Sequence, residues 1–271
     1  GHNALGAATT CTGDVAIGVD AGSAITTTSG KNVLIGNAAG KAITSGSGST
    51  VVGYNALAVN TTGNYSTAIG KDALRTLNTD GGNIPEHNTA VGFEAGYNAT
   101  YGDKGTYIGS EAGKAVTTAS NNTFVGALAG TATTTGDENV AVGTEALDTN
   151  TTGVRSVAVG YQALFTSDTA SSYNVAVGYK AGYYTNTGAQ NAFVGYQAGT
   201  ANTTGSFNVA IGSGALAANT VGVKNISIGH GSLETTIDGS KAVAVGNNSL
   251  MLNTTGNRNT AVGDISLDAN T

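Results

Sequence analysis

The chain has 271 residues, a formal net charge of −6, and 42 Gly, one Pro, no Trp and only 10% charged residues. Low charge combined with 39% hydrophobic residues excludes an intrinsically disordered chain, and the lack of a Gly-X-Y period excludes collagen. The eleven Lys and Arg are scattered, which excludes a nucleic-acid surface, and no apolar run approaches the ~20 residues of a membrane helix.

A single phrase returns along the whole chain, typified by Asn139-Val140-Ala141-Val142-Gly143 followed by Thr144-Glu145-Ala146-Leu147. Its anchor glycines are Gly1, Gly18, Gly36, Gly53, Gly70, Gly92, Gly109, Gly126, Gly143, Gly160, Gly178, Gly195, Gly212, Gly229, Gly246 and Gly263. Twelve of the fifteen intervals are seventeen residues, two are eighteen, and the one from Gly70 to Gly92 is twenty-two. A fixed period of this size marks a solenoid.

The residue before each anchor from Gly18 onward is Val or Ile, and two residues earlier stands Val, Thr or Ile in all but one repeat. This period-2 pattern of β-branched residues predicts a strand ahead of every anchor. The position between them is also apolar, Ser227 excepted, so both faces call for burial. Val140 and Val142 are expected to fill the coil, and Ala141 to face a second buried surface between chains, one that Ala158→Asp would disrupt. An apolar outer face along a solenoid implies an oligomer axis.

Three residues after each anchor comes Ala, or Ser in the last three repeats, and next comes Leu or Gly; this predicts a second short strand. Ten residues after the anchor a further glycine recurs at Gly46, Gly63, Gly102, Gly136, Gly153, Gly188, Gly205, Gly222, Gly239 and Gly256. It is expected to supply positive φ at an outer turn. Asn recurs four residues before the anchor, as in Asn139, Asn174, Asn191, Asn208 and Asn225, which predicts an amide ladder at a buried corner.

The expected fold is therefore an all-β parallel β-solenoid of about sixteen 17-residue coils, one continuous region over 1–271 with an inserted loop at about 78–88. Stacked at the usual strand spacing, it would form a rod on the order of 75 Å long. The chain begins and ends inside a repeat, so it is expected to be a segment of a longer protein, with unpaired strand edges at both ends.

Asn208-Val209-Ala210-Ile211-Gly212 and its relatives resemble the repeats in the YadA-like heads of trimeric autotransporter adhesins. The longer form, Ser156 to Leu164 with Asn253-Thr254-Thr255-Gly256 in a later coil, looks still more like repeats of bacteriophage tail fibres. Seventeen residues exceeds the usual autotransporter coil, the extra ones falling in the Thr-Thr-Gly turn. The resemblance implies a left-handed β-roll, a homotrimer, and an adhesive or structural role at an extracellular or virion surface. It leaves the bacterial adhesin head as the alternative to the tail fibre. Regular Thr-rich coils motivate a third reading, an ice-binding solenoid.

No catalytic constellation stands out, and no enzyme activity, cofactor or metal is expected. His2, His87 and His230 are widely separated, and Glu94, Glu111 and Glu145 share one repeat position, as a solvated acidic column would. Two features are candidates for contact with a host polysaccharide or protein. One is the insertion, with Asp80, Asn83, Pro85, Glu86 and His87, since loops held on rigid scaffolds often bind; a tolerated extension is the bland reading. The other is Tyr161, Tyr179 and Tyr196 in successive coils, joined by Tyr183 and Tyr184. Such rings can stack on sugars or simply cover the sheet.

Overall fold

The computed structural model describes residues 1–9, 12–26, 30–62, 64–78, 87–167 and 171–268, in two compact units, Gly1–Asp137 and Glu138–Thr271. Both are all-β, parallel β-solenoids, with no helix among the described residues. The first carries β1 (Val15–Ile17), β2 (Val33–Ile35), β3 (Thr50–Val52), β4 (Thr67–Ile69), β5 (Thr89–Val91), β6 (Thr106–Ile108) and β7 (Thr123–Val125). The second carries β8 (Val140–Val142), β9 (Val157–Val159), β10 (Val175–Val177), β11 (Ala192–Val194), β12 (Val209–Ile211), β13 (Ile226–Ile228), β14 (Val243–Val245) and β15 (Thr260–Val262).

Within each unit consecutive strands pair in parallel and in register, so that like repeat positions stack: Val140 on Val157, Ala141 on Ala158, Val142 on Val159. The anchor glycine ends each strand in a conformation closed to other residues. Gly160 has φ 133°, and a Cβ there would lie 2.4 Å from the carbonyl oxygen of Gly178 in the next coil. Glycine is required twice over, by the backbone angle and by the closeness of the stack.

Three expectations are corrected. The strand faces are reversed: the middle residue, as in Ala141, Ala158, Phe193 and Ala210, is fully buried inside its own coil, while the flanking Val, Ile and Thr stand half-buried or exposed outside. The coil is narrow, and its aromatic middle residues each sit over glycine. A Cβ on Gly113 would meet Tyr107 at 2.5 Å, one on Gly130 would meet Phe124 at 2.6 Å, and one on Gly199 would meet Phe193 at 2.5 Å. Where Leu147, Leu164 or Leu216 replaces that glycine, the middle residue of the coil is Ala.

The second strand does not form. The segment after the anchor runs through tight turns because alternate residues are left-handed: Glu145 and Leu147 at 56° and 55°, Gln162 and Leu164 at 53° and 49°. Each such residue costs of order 1–3 kcal/mol, offset here by hydrogen bonds between coils such as Leu147 N–H to the Ala163 carbonyl at 3.0 Å. The Ala of this segment is fully buried, as at Ala146, Ala163 and Ala215.

The later glycines do not supply positive φ; none of the described ones adopts it, and Gly63 lies outside the described residues. They are small because of crowding: a Cβ on Gly205 would lie 2.4 Å from both the Gly222 carbonyl oxygen and the Asn202 amide oxygen. The left-handed angle of this corner falls two residues on, at Arg155 or Lys224 for example.

The asparagine ladder forms as expected. Asn208 donates from Nδ2 to the Gly222 carbonyl at 2.8 Å and accepts through Oδ1 from the Asn225 N–H at 2.9 Å. Each amide thus closes its own coil and ties it to the next. A second set at Asn150, Asn202, Asn219 and Asn253, with no counterpart in the sequence reading, caps the glycine corner from the other side.

Candidate functional site

The aromatic residues of the second unit come together as their spacing predicts. Tyr161, Tyr179 and Tyr196 follow the anchors of successive coils, so the register of β9, β10 and β11 carries their rings into one column. The rings stack face to face, Tyr161 on Tyr179 at 5.5 Å and 20°, Tyr179 on Tyr196 at 5.2 Å and 8°. Phe165, which the sequence reading passed over, stacks on Tyr183 at 5.0 Å and 9° in a parallel column. The two columns are bridged by Lys180, whose Nζ lies 5.4 Å from the Tyr179 ring centre and 5.2 Å from that of Tyr183. Burial raises the Tyr183 hydroxyl above its ordinary pKa, with the neighbouring Lys180 charge opposing it.

Stacking has a chemical consequence. Both faces of Tyr179 are covered by other rings, so this middle ring offers a ligand its edge and hydroxyl. Tyr184 differs. It meets Tyr183 edge-on at 4.5 Å and 80°, is 51% exposed, and borders a shallow groove with Thr149, Thr166, Asn186 and Thr203.

The remaining candidates lie elsewhere. His87 belongs to the first unit, where it stacks on Tyr65 at 5.4 Å and 12°; Asp80, Asn83, Pro85 and Glu86 lie outside the described residues. The acidic column is not uniformly solvated. Lys114 bridges Glu94 at 2.7 Å and Glu111 at 2.9 Å, and these carboxylates hold its amine above the ordinary 10.5. Glu145 accepts a hydrogen bond from Gln162. Among the described residues no three His, Cys, Asp or Glu are grouped as a metal would require, and no helix is long and apolar enough to cross a membrane.

A further feature is the outer strand face. In β8 to β14 it presents two ranks of aliphatic side chains, with Val175, Val177, Val194, Ile211, Ile226 and Ile228 each more than a third exposed. In β3 to β7 one rank is instead Thr50, Thr67, Thr89, Thr106 and Thr123. These features define a parallel β-solenoid with an apolar sheet face and an aromatic turn face. No protein-family model, curated protein or solved structure matches the chain.

Proposed function

We propose that the chain is a structural and adhesive shaft of a homotrimeric fibre, foremost a phage tail fibre that mediates host attachment at the virion surface. The observation that carries the reading is the double aliphatic rank on the outside of β8 to β14. A continuous apolar sheet face in water requires a cover. A symmetric copy of the same in-register ranks supplies one at every coil, and a solenoid whose strength comes from coil-to-coil hydrogen bonds suits a shaft. The bacterial trimeric adhesin head shares this geometry, and neither form calls for catalysis.

The test is a pair of charges placed on the face. Val157→Glu with Val159→Glu leaves the interior Ala158 untouched and should reduce an assembled trimer to monomers in size-exclusion chromatography. A trimer that survives both substitutions sinks the reading.

One observation favours a second reading. The Thr rank of β3 to β7, expected in the core, stands half-buried on the outer face beside Val52, Ile69, Val91, Ile108 and Val125. Regular hydroxyl and methyl ranks on a flat strand are the chemistry of an ice-binding face. Thermal hysteresis from a monomeric chain would replace the fibre reading with this one.

A further inference from the structure

We infer that the turn face of the second unit holds a binding site for a neutral glycan, with Tyr184 as the platform on which a sugar ring lies. The inference rests on the adhesive reading and names the ligand class for it. Four observations carry it. The first is orientation. The rings of Phe165 and Tyr183 stack from coil to coil, so their faces look along the stack and are spent on one another. Tyr184, turned 80° from Tyr183, has its plane along the stack and no stacked partner among the described residues. A half-exposed aromatic face of this kind matches the apolar face of a pyranose.

The second is the groove beside it. Thr166 Oγ1 donates to the Tyr183 carbonyl at 2.8 Å, Thr149 Oγ1 to the Phe165 carbonyl at 2.9 Å, and Thr203 Oγ1 to the Thr220 carbonyl at 2.9 Å. Each hydroxyl proton is thus committed, which leaves oxygen lone pairs turned to the groove as acceptors for sugar hydroxyls. The third is Asn186, whose side-chain amide has no partner among the described residues and adds both donors and an acceptor. The fourth is charge: none of the five lining residues is ionised, which fits a neutral saccharide better than an acidic one, Lys180 lying beyond Tyr183 with its Nζ 5.2 Å from that ring centre. The site lies on the turns, apart from the strand face, so assembly through Val and Ile leaves it open.

Affinity electrophoresis of the full chain tests this directly, through gels containing a neutral glucan, a neutral galactomannan or the acidic polygalacturonate. Retardation is expected in a neutral gel and not in the acidic one. Tyr184→Ala should weaken retardation about tenfold, as loss of a stacked ring does. Tyr184→Phe should largely keep it, and Tyr179→Ala, which removes a ring already covered on both faces, should leave it unchanged. Circular dichroism of each variant checks the fold. Migration unaffected by either neutral polymer overturns the inference, as does equal or greater retardation by polygalacturonate, or a Tyr184→Ala chain retarded like the parent. Sedimentation of the same samples separates the two readings: a trimer that no neutral gel retards removes the glycan site alone.

Discussion

The volume rule inside the coil makes a quantitative prediction at Phe193. Its ring is fully buried and lies over two glycines, Gly199 of its own coil and Gly182 of the coil before. Phe193→Ala empties that space and should cost about 3–5 kcal/mol. Gly199→Leu should cost about 1–3 kcal/mol by overpacking, since even its Cβ would lie 2.5 Å from the ring. The backbone is not the obstacle: Gly199 has φ 58°, and Leu216 occupies the same repeat position one coil later at 54°. Together the two substitutions recreate the Ala210 and Leu216 pair of β12. The double variant should therefore be more stable than the sum of the single losses, by a coupling of about 1–3 kcal/mol. Full recovery is not expected, because Gly182 remains uncovered. Urea unfolding followed by far-ultraviolet circular dichroism would read the cycle. Amide exchange at β11 would report locally, since a repeat array need not unfold as one unit. Penalties that add to within about 0.5 kcal/mol would refute the volume rule.

Other substitutions probe the backbone and the corner. Gly160→Ala combines a forbidden φ with a Cβ 2.4 Å from a carbonyl oxygen; a loss of several kcal/mol is expected, seen as a fall in melting temperature of roughly 10 °C. Asn208→Leu strands the Asn225 N–H in a buried corner, while the Gly222 carbonyl keeps its bond from the Asn219 amide; a cost of about 1–3 kcal/mol is expected, and amide exchange at Asn225 should accelerate. At Lys114, the two glutamates raise the folded-state pKa above 10.5, so the contribution of the bridge is complete below that pH and is lost as pH rises through the folded value. Glu94→Gln should lower the amine titration midpoint measured by nuclear magnetic resonance; an unmoved midpoint would show that Lys114 is not held by these carboxylates.

Much of this architecture was legible in the sequence because a solenoid repeats its constraints. The β-branched phrase ahead of each anchor placed the strands found among the described residues, and the recurrence of Asn before it correctly implied the ladder. The strand faces were read in reverse because both are apolar. Which face turns inward, so that Ala158 is buried and Val157 and Val159 stand outside, is a tertiary property that two apolar faces do not encode. The alternation of Leu and Gly four residues after the anchor was itself the missing signal. Only glycine enters the left-handed region freely, and its recurrence at Gly22, Gly40, Gly96 and Gly113 pointed to a turn rather than a strand. At the candidate site, the column of Tyr161, Tyr179 and Tyr196 followed from register alone. That Tyr184 keeps its face while its neighbours spend theirs depends on ring orientation, which no spacing encodes.

The central claim is that the aliphatic ranks of the outer strand face are covered by copies of the same chain. Light scattering on the unmodified chain across a range of concentrations tests it most directly. A mass three times the 26.5 kDa of one chain is predicted, and a stable monomer at every concentration would contradict it.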